Sequence, residues 1–329
     1  MRGGSTSPRL RRAGRAAHRS LPPGGVSRRL AQGTRGLLLV VLCLPAVSPI
    51  QASSPQEPAS ALSSPPFEVR DPEIRARWER GWRLEQQRDF QASNRDFEEI
   101  TTLAPEISHV YWRIARNHLR ATQQLPMADE AGRREGFAQV LRWAERGSAR
   151  DPGCAECTLY EFIGLASLTR MEGTVRSARS ARRMKELIER TLELGPTHTD
   201  GDWNHELANA YFAAGIFYKV VPDSRLAKWL LGARGDRERS LEYYRKAFEL
   251  RSNRVEFRLT LGLALVCQGQ QGGEEAQIEE GLSLLRSVAS LDDHLATDPI
   301  YRDHAARLAA DPGRACDYSG EEWRRAEGR

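Results

Sequence analysis

The sequence predicts an all-α protein built as a solenoid of about five helical hairpins and closed by a C-terminal capping helix. Three observations favour this class. From residue 71 onward the apolar residues recur at helical spacing, no segment alternates like a half-buried strand, and Pro and Gly punctuate the chain at intervals typical of paired helices. Residues 240–250 show the pattern most clearly, because Leu241, Tyr244 and Phe248 share one face while charged residues occupy the other.

Residues 1–52 have the layout of a secretory signal. They contain nine Arg and no Asp, Glu or Lys, followed by an apolar run over 37–47 and then Ile50-Gln51-Ala52. We expect cleavage after Ala52 and export, in a bacterium, to the periplasm. The apolar run is too short to span a bilayer as a helix, so no stable membrane span is expected after cleavage. The basic part is long for a signal, so translation starting near Val26, or a disordered Arg-rich tail, are the alternatives.

The positive charge of the chain belongs to this leader. The whole sequence has 49 basic and 44 acidic residues, and removing the nine leader arginines leaves 40 against 44. The body is therefore slightly acidic, which argues against a nucleic-acid partner.

Residues 53–70 are rich in Pro and Ser and predict a flexible linker. The repeat domain is predicted over 71–310 and a loose C-terminal tail over 311–329.

The first helix pair, over residues 72–103, carries the marks of a known repeat. A small residue, Gly81, lies midway along the first helix, Phe97 lies in the second, and Pro105 follows it. These three positions resemble the tetratricopeptide repeat, a hairpin of about 34 residues. The resemblance implies a right-handed superhelix whose inner groove binds a peptide or protein partner.

The two markers can be followed through the chain. The small residues are Gly81, Ala115, Gly164, Ala208 and Gly262, and the large ones are Phe97, Ala144, Ile188, Tyr244 and Leu285. The number of residues from each large marker to the next small one stays near the number that a 34-residue repeat requires. The number of residues from a small marker to the large marker of the same pair is mostly greater than required. We therefore expect all of the extra length between the two helices of a pair, projecting along one rim.

The fourth pair has the most apolar insert. A short extra helix is predicted from Asp223 to Leu231, and the insert surface is predicted to include Phe217, Tyr218, Leu226 and Trp229. A last helix over 299–309 is predicted to cap the array, since a terminal repeat must cover its apolar face.

The tetratricopeptide register also implies which side chains line the groove. The residues it places there are Trp78, Trp82, Trp112, Arg116, His205 and Asn209. Aromatic, guanidinium and amide groups suit a surface that contacts apolar side chains together with carboxylates. The alternative is that the Trp residues are core and that the register slips by one turn.

The cysteines admit several interpretations. Cys154 and Cys157 have haem-attachment spacing, but Thr158 stands where the iron-binding His is needed. A structural zinc lacks two further ligands, and a redox motif lacks its strand context. A disulfide suits an exported chain, and buried free thiols are the alternative. Cys267 could pair with Cys316 and so pin the cap to the last repeat.

The segment His205-Glu206-Leu207-Ala208-Asn209 approaches a zinc-peptidase helix, but Asn209 replaces the second His. A hydrolase using His205 is therefore disfavoured, and Leu207 and Ala208 are interpreted as packing residues. The sequence contains no recognisable nucleophile triad or phosphate loop. We expect no catalytic residue, metal or cofactor.

Residues 110–270 also resemble, in a dispersed way, the tetratricopeptide-like domain of the regulator of microtubule dynamics family and its bacterial relatives. That resemblance implies the fold only. The sequence thus predicts an exported, non-enzymatic scaffold that binds a peptide or protein along its groove or its enlarged rim. The alternative is a periplasmic component of a binding-protein-dependent solute-uptake transporter.

Overall fold

The computed structural model describes residues 70–201 and 204–328, so the predicted signal and all but the last residue of the linker lie outside it. The helices are α1 (Pro72–Gln86), α2 (Phe90–Leu103), α3 (Ser108–Gln124), α4 (Glu130–Arg150), α5 (Ala155–Met171), α6 (Thr174–Leu194), α7 (Glu206–Val220), α8 (Arg225–Leu231), α9 (Arg237–Leu250), α10 (Val255–Gly272), α11 (Glu275–Ser287), α12 (Asp298–Ala310) and α13 (Gly320–Ala326). None of these helices is long and apolar enough to cross a bilayer.

The helices pack as five antiparallel pairs, each also touching the next pair along the chain. The pairs are α1 with α2, α3 with α4, α5 with α6, α7 with α9, and α10 with α11. Buried apolar residues form clusters between these neighbours rather than one central core. This arrangement confirms the predicted all-α solenoid of hairpins.

Local signals define the first pair. The Asp71 side chain accepts hydrogen bonds from the N–H groups of Glu73 and Ile74, and Pro72 follows it, so α1 begins with a capped first turn. A Cβ on Gly81 would lie 2.7 Å from Cε1 of Phe97, so only glycine allows α1 and α2 to approach this closely. The predicted role of this marker pair is confirmed.

The register of the fourth pair differs from the prediction. Gly215, and not Ala208, faces Tyr244, since a Cβ at Gly215 would lie 2.5 Å from Cε1 of Tyr244. Ala208 packs instead with Ala247 and Phe257. Both small residues lie on one helix face two turns apart, so periodicity alone could not distinguish them.

This shift changes where the extra length of the chain lies. Helices α4 and α6 are each 21 residues long, and α8 is inserted between α7 and α9, so much of the excess does lie within pairs. The rest lies between pairs. Links of four residues join α2 to α3, α4 to α5 and α9 to α10, whereas eleven residues, 195–205, join α6 to α7. The prediction that all enlargement lies within pairs is wrong.

The long link contains the strand structure that the sequence did not reveal. Gly195, at φ 68°, ends α6, and two-residue strands β1 (Thr199–Asp200) and β2 (Asn204–His205) then pair antiparallel. Gly201, at φ 61°, begins the turn between the strands. We call residues 196–205 the hairpin.

The C-terminal residues are packed rather than loose, which corrects the predicted tail over 311–329. Cys316 forms a disulfide with Cys267 of α10. Tyr318 and Trp323 pack on the apolar cluster of α10 and α12. The predicted capping helix is present as α12, and α13 follows it.

The C-terminal residues and the loop before α12 reach back to the first three pairs. Glu321 forms ion pairs with Arg170 of α5 at 2.7 Å and with Arg133 of α4 at 3.8 Å. Arg88, after α1, donates to the carbonyl oxygen of His294 at 3.1 Å. The C-terminal residues therefore contact the second and third pairs, and the loop before α12 contacts the first pair.

Candidate functional site

A buried row of arginines on α3 forms the centre of the candidate site. Arg113, Arg116 and Arg120 follow one another at spacings of three and four residues, so they share one face of the helix. The side chains of Arg113 and Arg116 are each only 2% exposed, and that of Arg120 is 13% exposed. This face lies against the first helices of the neighbouring pairs, a surface that we call the inner face.

Three carboxylates from three other elements neutralise the row. Glu85 of α1 accepts from Arg113 at 2.9 Å, from Arg116 at 2.6 Å and from Arg120 at 2.9 Å. Glu206, at the start of α7, accepts from Arg116 at 3.1 Å. The third carboxylate, Asp200, belongs to the hairpin. Three cations thus face three anions, the balance that makes a buried ionic network tolerable.

Asp200 inserts its carboxylate between the arginines. Its Oδ2 accepts from Nη1 of Arg116, and its Oδ1 lies 3.2 Å from Nη2 of Arg113. Nε2 of His198 lies 2.8 Å from the same Oδ1. Because a carboxylate oxygen can only accept, His198 carries its proton on Nε2 and donates to Asp200. The 3.0 Å contact between that Nε2 and Arg113 is therefore not a hydrogen bond.

Aromatic rings form the walls around this carboxylate. The guanidinium of Arg116 lies 4.8 Å from the ring centroid of Trp112, and that of Arg113 lies 4.9 Å from the ring of Trp78. Trp112 also stacks on Tyr160 of α5, and the ring centroid of His198 lies 4.8 Å from that of Trp112. Ring faces next to guanidinium groups add favourable cation–π contacts where water is excluded.

Neighbouring helices hold the hairpin in place. Glu156 in the first turn of α5 accepts from the backbone N–H groups of Thr197 at 3.0 Å and His198 at 3.1 Å. The side chain of Asn204 donates to Glu206 at 3.1 Å, and Tyr160 donates to the same carboxylate. The hairpin is therefore bound to α5 and α7 as well as to α3.

The arginines keep the buried carboxylates ionised. Burial alone would raise the pKa of Asp200, but Arg116, Arg113 and the hydrogen bond from His198 hold it well below its usual range. Burial likewise opposes ionisation of Glu85, and the three arginines outweigh it, so the pKa of Glu85 is lowered. The anions are therefore held in the charged form that the guanidinium groups require.

His109, which lies beside Trp112 and His198, is held neutral. Burial, reinforced by Arg113, His198 and Arg116, lowers the pKa of His109 well below its usual value. Its ring lies 4.8 Å from that of Trp112 and 5.3 Å from that of His198. His109 thus packs as an aromatic ring without adding a positive charge.

A cleft leads from solvent to the edge of this network. It has a volume of 240 Å³, and its lining includes Glu85 of α1, Arg120 and Gln123 of α3, and residues 293–297. The loop before α12 therefore borders the route to the inner face, and Arg120 is the arginine of the row that lines the cleft.

The predicted groove residues separate into two groups. Trp78, Trp112 and Arg116 are buried, at 0%, 0% and 1% exposure, and so are unavailable to an incoming partner. Trp78 is buried in the apolar cluster of the first pair and α3, whereas His198 and Asp200 of the hairpin contact Trp112 and Arg116. Asn209 is half-buried and donates to Asn204 and Glu206, both at 3.0 Å. It supports the network from its border.

Trp82 and His205 lie outside the network. Trp82 is half-buried on α1. His205 caps α7, with Nδ1 accepting from the N–H of Leu207 at 3.2 Å, and burial lowers its pKa. Among residues 70–201 and 204–328, no three His, Cys, Asp or Glu side chains are placed to hold a metal ion.

The predicted insert surface needs correction. Phe217 and Tyr218 are only 4% and 3% exposed, because they belong to α7 and pack between α6 and α9. Trp229 of α8 is 77% exposed. The side chain of Leu226 lies outside the described part of the structure.

Cys154 and Cys157 form a disulfide at the beginning of α5. The Cys154 sulfur also accepts from the N–H of Cys157, so this residue occupies the cap position of the helix. The pair lies against Trp112 and Tyr160 in one apolar cluster. The disulfide therefore lies at the start of α5, next to the aromatic rings that surround the Asp200 carboxylate.

Sequence reasoning missed Glu85, Arg113, Asp200 and Glu206. The one available signal was the spacing of the arginines on α3, which predicts a cationic stripe on the face that also carries Trp112. Their partners come from distant segments and have no shared pattern.

No family model matches the sequence, and no curated protein matches it. The described helices form antiparallel hairpins that pack one after another along the chain. The chain is similar to the solved structure of TTC0263, a thermophilic TPR protein of Thermus thermophilus, at 15% identity and a TM-score of 0.48, over 71% of this chain and 100% of that one. It is also similar to MamA protein at 12% identity and a TM-score of 0.41, over 68% of this chain and 98% of that one.

Proposed function

We propose that this protein is a non-enzymatic scaffold whose inner face binds a carboxylate-bearing segment of a protein partner in place of its own hairpin. The supporting observation is the position of Asp200. A carboxylate from a connecting segment lies between Arg113 and Arg116, walled by Trp78 and Trp112. Helical-repeat arrays expose extended inner surfaces to their partners, and here the chain itself supplies the occupant.

Two features of the hairpin favour exchange over a purely structural role. The other inter-pair links join their helices with four residues, so eleven are not needed to connect α6 to α7. Within the described residues, Nε1 of Trp112 and the Nε atoms of Arg113 and Arg116 are buried and have no hydrogen-bond acceptor. The described residues of the hairpin, 196–201 and 204–205, thus leave three donors of the inner face unused, and a longer segment could satisfy them.

The test uses the hairpin as a peptide. In one variant, residues 195–205 are replaced by a four-residue link like those between the other pairs. A labelled synthetic peptide of residues 195–206 is titrated against this variant and the parent chain, both checked for helical content by circular dichroism. We expect the peptide to bind the shortened chain at least about tenfold more tightly than the parent, and the same peptide with Asp200→Asn to lose that advantage.

A full-length Asp200→Asn chain provides a second host if the shortened chain does not fold. Its own hairpin lacks the charge that Arg116 requires, so the unmodified peptide should compete better than it does against the parent. Equal binding to parent and variants, or no binding to a folded variant, would overturn the proposal.

We further propose that the protein acts outside the cytoplasm, as its Arg-rich leader predicts. The two disulfides, Cys154 with Cys157 and Cys267 with Cys316, support this because such bonds persist in oxidising compartments. N-terminal sequencing of the protein recovered from its native cell tests it: a start at Ser53 is expected, and an intact leader would refute export. The transporter-component alternative stays a prediction.

A further inference from the structure

An exposed apolar and basic surface lies on the fourth pair, at the end of α7 opposite to Glu206. Four large hydrophobic side chains stand out as exposed in the described residues, and three of them lie at the end of α7 or in α8. Trp229 is 77% exposed, Val220 72% and Ile216 38%. We call these three residues, with the basic side chains described next, the rim patch.

Exposed cations surround the three apolar residues. The basic members of the rim patch are Lys219 on α7, Arg225 and Lys228 on α8, and Arg179 and Arg182 on α6. None of the five forms a salt bridge with another described residue, although many surface arginines of this chain do. Of the acidic side chains at this edge, Asp223 is paired with Arg234 at 2.5 Å, and Glu186 lies one turn beyond Arg182 on α6. The edge therefore carries a net positive charge.

The insert is held firmly at both ends, so the patch has a defined shape. The N–H groups of Gly235 and Asp236 donate to the carbonyl oxygens of Pro222 at 3.1 Å and Tyr218 at 3.0 Å. After α8, a Cβ on Gly232 would lie only 2.7 Å from Nε of Arg182, and Ala233 is 1% exposed. These contacts fix α8 against α6 and α7 with Trp229 directed outward.

We propose that the rim patch binds the surface of a lipid bilayer that contains anionic lipid. A Trp side chain with flanking Lys and Arg is the combination that settles at the level of lipid headgroups, the ring entering the interface while the cations contact the phosphates. Three apolar side chains are too few to insert deeply, so attachment depends on charge as well as on burial. The partner is a surface, since the Trp229 side chain is 77% exposed and so projects from the fold.

The test is cosedimentation of the purified chain from Ser53 onward with two kinds of vesicle, one of phosphatidylcholine alone and one of equal parts phosphatidylcholine and phosphatidylglycerol. We expect binding to the anionic vesicles with a blue shift of tryptophan fluorescence, and release at high salt. Trp229→Ser should weaken binding by about tenfold, and Lys228→Glu by at least about fivefold.

Matched changes elsewhere serve as controls. Leu103→Ser removes an exposed hydrophobic side chain at the end of α2, and Arg83→Glu reverses an exposed charge on α1; neither should alter vesicle binding. Failure to bind anionic vesicles would overturn the proposal, as would equal loss in the control variants. Capture by polyglutamate but not by vesicles would assign the patch to an acidic protein instead. Because peptide binding at the inner face does not involve these residues, the two proposals can fail separately.

Discussion

Arg116 and Asp200, 84 residues apart in the sequence, form an ion pair on the inner face of the array. Their side chains are 2% and 12% exposed, so both charges depend on each other and on Glu85, Glu206 and Arg113 for compensation. The pair joins α3 to the hairpin and explains why the surface predicted to receive a partner is already occupied.

Replacing Asp200 with Asn should destabilise the protein. The change keeps the side-chain shape but removes the negative charge, leaving Arg116 and Arg113 with one anion fewer in a buried setting, which typically costs about 3–5 kcal/mol. Chemical denaturation measures this loss. Asp223→Asn is the control, because the pair of Asp223 with Arg234 is about half exposed and should contribute less than about 1 kcal/mol. Similar losses in the two variants would contradict the assignment.

Acid should destabilise the protein through His118. Burial, assisted by Arg142, lowers the pKa of His118 from 6.5 to about 4. The unfolded chain therefore takes up a proton below about pH 6.5 that the folded chain refuses until about pH 4, so stability falls as pH decreases across that window.

The measurement is the free energy of unfolding between pH 7.5 and pH 4. His118→Gln should flatten part of this decline, while His109, whose pKa is also lowered, continues to contribute. Below about pH 4 the carboxylates with lowered pKa values, Asp200 among them, add a further loss as they are protonated. A variant curve parallel to the parent curve would show that His118 is not buried as described.

The corrected register makes a prediction about two glycines. Gly215→Ala should destabilise the protein by about 1–3 kcal/mol, since the added Cβ would lie 2.5 Å from Tyr244 and 3.2 Å from the backbone oxygen of Ser240. Gly272→Ala, at the end of α10, meets nothing closer than 3.6 Å and should be neutral or stabilising. Thermal unfolding of the two variants checks both, and equal effects would restore the predicted register at Ala208.

The disulfide between Cys267 and Cys316 should stabilise the C-terminal segment. It closes a span of 49 residues and ties the loop before α13 to α10, which is typically worth about 2–4 kcal/mol. Cys267→Ser combined with Cys316→Ser should therefore speed proteolytic removal of the residues after Ala310. Cleavage within the first helix pairs should not become faster. The matched control combines Cys154→Ser with Cys157→Ser and removes a disulfide whose cysteines are only three residues apart. It should change the rate of that proteolysis little.

Much of the fold was predictable because helix periodicity and Pro or Gly punctuation are local signals. Helix α1 begins at Pro72 and α8 ends at Leu231, both as predicted, and the paired architecture was correct. The second helices α4 and α6 are long, which the spacing of the markers indicated. Such local patterns predict the fold because the apolar residues that are buried between helices also produce the helical periodicity of the sequence.

The site was less predictable because its parts meet only in the folded chain. Asp200 lies in a link with two-residue strands, too short to produce an alternating pattern, and its role depends on arginines 84 and 87 residues away. The groove positions of Trp78 and Trp112 stay predictions, and nothing local shows that the ring of His198, from a later segment, packs on Trp112. The packed tail was missed because its composition is polar, while Tyr318 and Trp323 and the Cys316 disulfide hold it.

The most direct test of the self-occupied inner face is a double-mutant cycle between Arg116→Gln and Asp200→Asn, measured by chemical denaturation of the parent, the two single variants and the double variant. If the hairpin carboxylate is held by this arginine, the double variant should lose less stability than the two single losses together, with a coupling energy of about 2 kcal/mol or more. Losses that add to within about 0.5 kcal/mol would show that the two residues do not interact, and would contradict the account.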